Sequence, residues 1–300
     1  MPDAFDQPDT IHRPDTINQL DTIHRPDVDV PGVLDGPDAF YLPTDDPDRF
    51  VATPHTEGPW SAALQHAGPP AALLARAVER VASSVAGPAH VARLTVEILG
   101  PVPVAEVVVR AAVARPGRSV ELVEGELLAA GRPVLRARVW RIRSTPVGLP
   151  AGAVASPVAP PPRPAAASTF TEPRWQTGYL RAIDWRFVEG HLERPGPAAV
   201  WARQRMPLVA GEEPSPLQRT VLLADSGNGL SRLLDMDLWW FINTELTVHL
   251  HRPPAGEWIF IRAGATLHEQ GFGLAETVLS DGTGQVGRGA QALLVGPRDA

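Results

Sequence analysis

The chain has 300 residues, 44% of them hydrophobic, which is enough to bury a sizeable core in one large domain or two ordinary ones. A formal net charge of −7 at pH 7 argues against nucleic acid as a main partner. Cysteine and lysine are both absent, so disulfides, thiolate metal sites and lysine-dependent catalysis are excluded. No apolar run is long enough to span a bilayer, and the acidic, proline-rich start does not resemble a signal peptide, so we expect a cytoplasmic protein.

The first 35 residues are a repetitive segment dominated by aspartate and proline. The unit DTIHRPD occurs twice, with DTINQLD between the two copies. Such a composition cannot bury enough apolar surface to offset the cost of ordering the chain. We therefore predict a disordered tail over residues 1–35 and a first folded unit after it.

Residues 36–143 are predicted to form a compact unit. An extended piece around 40–42 opens it, and a helix covers 68–84, where Pro69 and Pro70 suit a first turn that needs no backbone donor. Four runs bounded by proline or glycine then read as strands: 90–99, 106–114, 119–128 and 133–143. The order of this unit is one long helix followed by four strands.

The same order recurs after a segment rich in proline and alanine. Residues 144–168 are predicted to be a semi-rigid linker, and 169–300 to form the second unit. In that unit a strand at 198–206 precedes a helix at 216–225, with Ser215 as the N-cap. Four further strands are predicted at 241–251, 257–267, 271–279 and 285–295. The fold class is therefore α+β, with an antiparallel sheet wrapped around one long helix in each copy.

The predicted strand 241–251 has a polar face with many titratable and hydrogen-bonding side chains. This face consists of Asn243, Glu245, Thr247, His249 and His251. We predict that Asn243 lines a site, whereas His249 and His251 are surface or structural groups. Two histidines without a third ligand nearby are too few to hold zinc, so we predict no metal and no other cofactor.

Four segments carry a resemblance to a known family: QHAGPPAALLARAVER in the first unit, and LLADSGNG, ELTVHLHRPPAGEW and GRGAQALLV in the second. The arrangement resembles the hotdog fold, and the paired units resemble the double-hotdog acyl-CoA thioesterases of the type II class. The resemblance implies a tandem hotdog and a substrate that is an acyl-CoA or an acyl-pantetheine. It also implies hydrolysis of the thioester by direct attack of an oriented water, without a covalent intermediate.

Three catalytic positions follow from the resemblance. In that family a carboxylate on the second helix, a hydroxyl residue on the next strand and a glutamine on the last strand position the water. The matching positions here are Asp225 and Gln291, with Asn243 where the family has threonine. A carboxylate at the C-terminal end of a helix is unfavourable to the helix dipole, which adds weight to a special role for Asp225.

Two further features of the site are expected from backbone groups. Gly287 and Gly289 share their strand parity with Gln291, and bare backbone there indicates either a substrate groove or close packing against another element. In hotdog enzymes the donor to the oxyanion comes from the start of the long helix. Here either Gly68 or the loop before Ser215 has that position.

Two rival functions stay open at this point. A hotdog hydratase or dehydratase needs an aspartate and histidine pair, and His66 is the candidate histidine. A non-catalytic acyl-thioester-binding or assembly module is favoured by the asparagine at position 243. A monomer and a homodimer are both compatible with the sequence, and exposed sheet edges favour the homodimer. The acyl chain could pack against tryptophans 201, 239, 240 and 258, although core packing is the ordinary role of such residues.

Overall fold

The computed structural model describes residues 38–298, apart from 155 and 177. The predicted tail over 1–35 lies outside these residues. The described residues form one compact unit. No helix of the described residues is long and apolar enough to cross a membrane.

The described residues form thirteen strands and four α-helices. The strands are β1 Tyr41–Pro43, β2 Arg49–Ala52, β3 Ala89–Ile98, β4 Glu106–Arg115, β5 Val120–Ala129, β6 Arg132–Arg143, β7 Ile183–Glu189, β8 Ala198–Gln204, β9 Trp239–Asn243, β10 Glu245–Leu250, β11 Ile259–His268, β12 Phe272–Asp281 and β13 Gly284–Pro297. The helices are α1 Gly68–Arg80, α2 Gly178–Arg181, α3 Pro216–Ala224 and α4 Gly227–Leu230.

The thirteen strands belong to one sheet in which neighbouring strands are antiparallel. Its order is β1-β2-β4-β5-β6-β3-β10-β13-β12-β11-β8-β7, and β9 pairs with β13 beside that path. The central pair is β3 and β10, where Thr95 lies opposite Thr247 with the hydroxyl oxygens 3.1 Å apart. Outward from β3 the next strands are β6, β5 and β4, and outward from β10 they are β13, β12 and β11. Each side of the sheet therefore places its strands in a corresponding order.

The two long helices lie on the sheet side by side. Helix α1 packs on β4, β5 and β6, and α3 packs on β8, β11 and β12. Most of their apolar residues are fully buried, including Leu73, Leu74, Val78, Val221, Leu222 and Leu223. The two helices run antiparallel, because Gly68 at the start of α1 touches the carbonyl oxygen of Leu222, whereas Glu79 near its end accepts a hydrogen bond from Ser215. The start of α1 therefore meets the end of α3.

The predicted helices and most predicted strands are confirmed within a few residues. Helix α1 ends at Arg80 rather than at 84, because Val81 is extended and the Arg141 guanidinium donates to the carbonyls of Val78 and Val81 at the helix end. The prediction missed the short strands β2 and β7 and the one-turn helices α2 and α4. β2, α2 and α4 have four residues each, too few for a clear hydrophobic period, whereas the seven residues of β7 do alternate, with Ile183, Trp185 and Phe187 on one parity.

The predicted continuous strand 241–251 is wrong, because a β-bulge at Thr244 divides it. Asn243 lies opposite Leu293 and Thr247 lies opposite Ala290, so four steps on this strand match three steps on β13. The Glu245 carboxylate accepts a hydrogen bond from the Ala292 N–H at the bulge, at 2.9 Å. The extra residue reverses the alternation, so that Asn243 shares the inner face with Leu246 instead of the outer face with Glu245, Thr247 and His249.

The linker predicted over 144–168 has no helix or strand among its described residues. It is held on the second half of the chain by donors from β7 and β8. The Trp201 indole donates to the Pro161 carbonyl at 2.9 Å, and the Arg186 guanidinium donates to the Ala165 carbonyl at 2.7 Å. The guanidinium of Arg163 lies 4.3 Å from the ring centre of Trp258, within range of a cation–π contact.

Candidate active site

Asp225 is the residue at which the end of α3 and the start of α1 meet. It is the C-cap of α3, and its side chain is only 4% exposed. Its Oδ1 accepts hydrogen bonds from Asn243 Nδ2 at 2.9 Å and from Gln291 Nε2 at 3.1 Å. Its Oδ2 lies 3.0 Å from Nδ1 of His66. The structure thus brings together the three side chains that the resemblance indicated and adds a fourth.

Gln291 connects two helix ends as well as contacting the carboxylate. Its side chain is buried, with the residue 1% exposed, and Nε2 also donates to the main-chain carbonyl of Asp225 at 3.2 Å. Its Oε1 accepts the N–H of Asn228, at the start of α4, at 2.9 Å. These are backbone groups that a helix end leaves unpaired, so Gln291 fixes the turn that presents Asp225.

Asn243 reaches Asp225 because of the bulge. Without the extra residue at position 244, the parity of β10 would turn Asn243 away from α3. The neighbouring Thr244 is exposed, and its hydroxyl donates to the Ala292 carbonyl at 3.3 Å. The asparagine amide, and not the adjacent hydroxyl, is therefore the group on this strand that contacts the carboxylate.

His66 is the residue that the thioesterase interpretation of the sequence left out. Its ring stacks on Tyr179 with centroids 3.9 Å apart and planes 12° apart. The Tyr179 hydroxyl donates to the Leu222 carbonyl at 3.0 Å and lies 2.8 Å from the Ser226 hydroxyl. Burial raises the pKa of Tyr179 well above its usual range, and the nearby Asp225 charge raises it further, so this hydroxyl stays protonated. Only the position of His66 just before a proline-rich helix start hinted at a role.

Gly68, one of the two backbone candidates for the oxyanion donor, lies beside the cluster around Asp225. Its N–H is directed at Nδ1 of His66, at 3.1 Å, and the next two residues are prolines without an N–H. The alternative loop before Ser215 is about 15 Å from Asp225, because Ser215 and Asp225 cap opposite ends of the nine-residue helix α3. There the Ser215 hydroxyl caps the Gln218 N–H and donates to Glu79. Of the two backbone candidates, only Gly68 lies close to Asp225.

The predicted groove over Gly287 and Gly289 is replaced by packed protein. A side-chain carbon at Gly287 would overlap the His249 carbonyl oxygen on the neighbouring strand. At Gly289 it would overlap the hydroxyl of Thr277, and both glycines are buried. Close packing, the alternative weighed for these glycines, is therefore what the structure has. The bare backbone admits a neighbouring strand rather than a ligand.

The four tryptophans considered for acyl packing lie in two separate places, with 201 and 258 near the linker and 239 and 240 on β9. Trp201 and Trp258 belong to a cluster with Phe260 beneath the linker. Trp240, next to Phe241 on β9, lies 5.4 Å from Trp60, which precedes α1. The second pair comes from the two strand and loop segments that also carry Asn243 and His66. Among the residues described, no three His, Asp or Glu side chains are placed to hold a metal ion.

Comparison with known proteins gives matches over most of the chain. The family model for the acyl-CoA thioesterase N-terminal domain matches residues 56–142, and the model for the C-terminal domain of that family matches residues 157–295. No protein with a curated function matches the sequence.

Several solved structures share the fold. A putative thioesterase II from Thermobifida fusca is 20% identical with a TM-score of 0.64, covering 86% of this chain and 96% of its own. A protein of unknown function with a hot dog fold, from Alicyclobacillus acidocaldarius, is 18% identical with a TM-score of 0.62, covering 86% and 97%. An acyl-CoA thioesterase II from Mycobacterium marinum is 16% identical with a TM-score of 0.57, covering 85% and 94%.

The fold is therefore a hotdog fold, and both domain models of one family match in the order expected along the chain. The chain belongs to the acyl-CoA thioesterase family and is a thioester hydrolase.

Proposed function

We propose that the cluster around Asp225 hydrolyses an acyl-CoA or acyl-pantetheine thioester by direct attack of water, with Asp225 as the general base. The observation that carries this proposal is the convergence of Asn243, Gln291 and His66 on one carboxylate that is almost fully buried. Burial of a carboxylate is costly, and the hydrogen bonds from these partners offset that cost while they hold the group in one orientation, as a general base for water requires.

The chemistry requires no covalent intermediate. Asp225 takes a proton from water, the water oxygen bonds to the thioester carbonyl carbon, and the carbon–sulfur bond breaks. The proton held by Asp225 then passes to the leaving thiolate, which gives one carboxylic acid and one thiol. The Asn243 amide has two N–H groups and donates one to Asp225. Its second N–H is the donor that we assign to the developing oxyanion. This amide would replace the threonine hydroxyl of the family.

We further propose that the chain is a double hotdog, with an N-terminal hotdog at 36–143, a linker at 144–168 and a C-terminal hotdog at 169–300. The matching strand order on the two sides of the β3–β10 pair supports this division. The two antiparallel helices, each on the strands of its own half, support it as well. A cytoplasmic location and a homodimer stay predictions from the sequence.

The function is tested by measuring free thiol released from a panel of acyl-CoA thioesters of different chain length. Steady release above the uncatalysed rate is expected for at least one chain length. Binding of acyl-CoA without release of thiol would instead favour the acyl-binding module. The readout separates the two because only hydrolysis frees the thiol.

The hydratase alternative has one observation in its favour, the contact of 3.0 Å between His66 and Asp225. These two groups bond directly to each other, however, so they do not lie on two sides of a space for a substrate. The test is a 2-enoyl-CoA substrate followed both by loss of the conjugated double bond and by thiol release. Loss of the double bond without thiol would establish the hydratase.

Asn243→Leu should lower kcat by about 10²-fold, since it removes the amide that contacts Asp225 and the donor assigned to the oxyanion. Asn243→Thr, which puts the family's hydroxyl at this position, should keep kcat within roughly tenfold of the wild type. Both are measured by thiol release under saturating substrate. Thr244→Val is the matched control, because Thr244 is exposed and turned away from Asp225, and its kcat should not change. A wild-type kcat for Asn243→Leu would remove Asn243 from the mechanism.

A further inference from the structure

The Asp225 carboxylate has almost all of its hydrogen-bonding capacity occupied. A carboxylate offers about four acceptor positions, two on each oxygen. Asn243 and Gln291 fill both positions on Oδ1, and His66 fills one on Oδ2. One position is left, on Oδ2 beside the imidazole ring. An attacking water that bonds to this carboxylate has only that position to take.

Two groups lie within hydrogen-bonding distance of Nδ1 of His66, and they require opposite protonation states of this nitrogen. The Gly68 N–H, at 3.1 Å, requires a lone pair on Nδ1, whereas the ionised Asp225 Oδ2, at 3.0 Å, requires a hydrogen. A ring nitrogen supplies only one of these at a time. Leaving a buried carboxylate oxygen unpaired costs more than leaving an amide N–H unpaired, so the hydrogen lies on Nδ1 while Asp225 is ionised.

The ring of His66 is held in this orientation from its other side. It stacks face to face on Tyr179, whose hydroxyl is bonded to the end of α3 at the Leu222 carbonyl. Ala67, which follows His66, is the N-cap of α1. Gly68 has no side chain, and a Cβ there would overlap the Leu222 carbonyl oxygen, so the glycine allows the start of α1 to lie close to the end of α3. The imidazole therefore comes from the first half of the chain, and Tyr179 of the second half holds it against the Asp225 carboxylate.

We propose that His66 is a positioning residue of the hydrolytic site: its Nδ1–H holds Oδ2 of Asp225, so that the one acceptor position left on the carboxylate points at the attacking water. The inference rests on the proposed function, with Asp225 as the base. Loss of the Nδ1–H would free the carboxylate to rotate and would let a second water compete for Oδ2. A displacement of the base by about 1 Å is enough to lower a rate by the order of 10²-fold.

The proposal is tested with three variants that separate the two ring nitrogens. An asparagine amide reaches the place of Nδ1, whereas a glutamine amide reaches the place of Nε2. We expect His66→Asn to keep kcat within roughly fivefold, and His66→Gln and His66→Ala to lower kcat by about 10²-fold with KM changed by less than about threefold. His90→Asn is the matched control, because His90 is a half-buried histidine on β3 that contacts the Leu250 carbonyl and not Asp225.

Two results would overturn the proposal. If His66→Ala kept the wild-type kcat, His66 would have no part in the reaction. If His66→Asn lost as much activity as His66→Ala while its melting temperature stayed within a few degrees of the wild type, a donor in the place of Nδ1 would not be what the reaction needs from His66, and the positioning role would be rejected. A melting temperature is measured for each variant so that loss of folding is recognised, and His66→Asn, which keeps a polar group in the same space, serves where His66→Ala does not fold. Failure of the proposed function is distinct, because the wild type itself would then release no thiol.

Discussion

Replacing Asp225 with asparagine should lower kcat by about 10²–10⁴-fold, the range expected when a general base is removed. The variant should nevertheless fold normally, with a free energy of unfolding within about 1 kcal/mol of the wild type. Its side-chain oxygen can still accept from Asn243 and Gln291, as Oδ1 does in the wild type. Its amide can donate to Nδ1 of His66, provided that the ring hydrogen moves to Nε2.

The measurement is thiol release together with a thermal melt, made on Asp225→Asn and on Asp235→Asn. Asp235 is an exposed aspartate whose carboxylate accepts the Asp237 N–H, and asparagine can make the same hydrogen bond. This control should keep the wild-type kcat. A purified Asp225→Asn variant that melts earlier but hydrolyses at the normal rate would mean that Asp225 has a structural role only.

Replacing Asp281 with asparagine should cost about 3 kcal/mol of the free energy of unfolding, because it breaks a largely buried ion pair. Asp281 ends β12, and its side chain is 1% exposed. Arg252 donates to both carboxylate oxygens at 2.6 and 2.7 Å, and Thr283 and Ala255 add main-chain donors. The residue therefore fastens the β12–β13 turn to the loop after β10.

The stability lost in Asp281→Asn should be smaller at low pH, because the pKa of Asp281 is lower in the folded state than in the unfolded state. Burial alone would raise the pKa of Asp281, but Arg252 and the Thr283 donors outweigh it and hold the pKa well below the usual range. A depressed folded-state pKa contributes stability that is complete above the unfolded pKa, near 3.9, and is lost as the pH falls towards the folded value. The difference between wild type and Asp281→Asn should thus be full at pH 7 and should shrink below about pH 4.

Denaturant unfolding at pH 7 and pH 3 measures this difference. The control is Glu124→Gln, which breaks the ion pair of Glu124 with Arg138 on the open sheet surface. The side chains of that pair are 50% and 60% exposed, so its loss should cost no more than about 1 kcal/mol. An equal cost for the two variants would show that the buried position of Asp281 adds nothing.

The elements with a clear period were predictable from the sequence. Leu73, Leu74 and Val78 mark α1 because their spacing brings them to one helix face, and the strands β3 to β6 end at proline or glycine. The bulge at Thr244 was not predictable in this way. A period of two gives the parity of each residue but does not reveal an extra residue, because register is set by the partner strand.

The candidate site was predictable only in part. Asp225, Gln291 and Asn243 came from the resemblance, and the structure brings all three together. The contact of His66 with Asp225 joins residues far apart in the chain. It depends on the antiparallel placement of α1 and α3, which the pattern within either helix does not contain.

Because Thr95 and Thr247 pair at the centre of the sheet, counting along the strands from them gives the positions in the first half that correspond to Gln291 and Asn243 in the second half. Gln291 lies one residue beyond Ala290, the partner of Thr247, and Val139 lies one residue beyond Arg138, the partner of Thr95. Asn243, opposite Leu293 beyond the bulge of the second half, likewise corresponds to Val91, opposite Arg141 beyond the bulge of the first. Both counterparts are valines with little or no exposure. A carboxylate placed at the matching end of α1 would find no amide donor at these two positions. The catalytic centre that we propose is therefore not repeated there, and we expect one bound substrate analogue per polypeptide, not two.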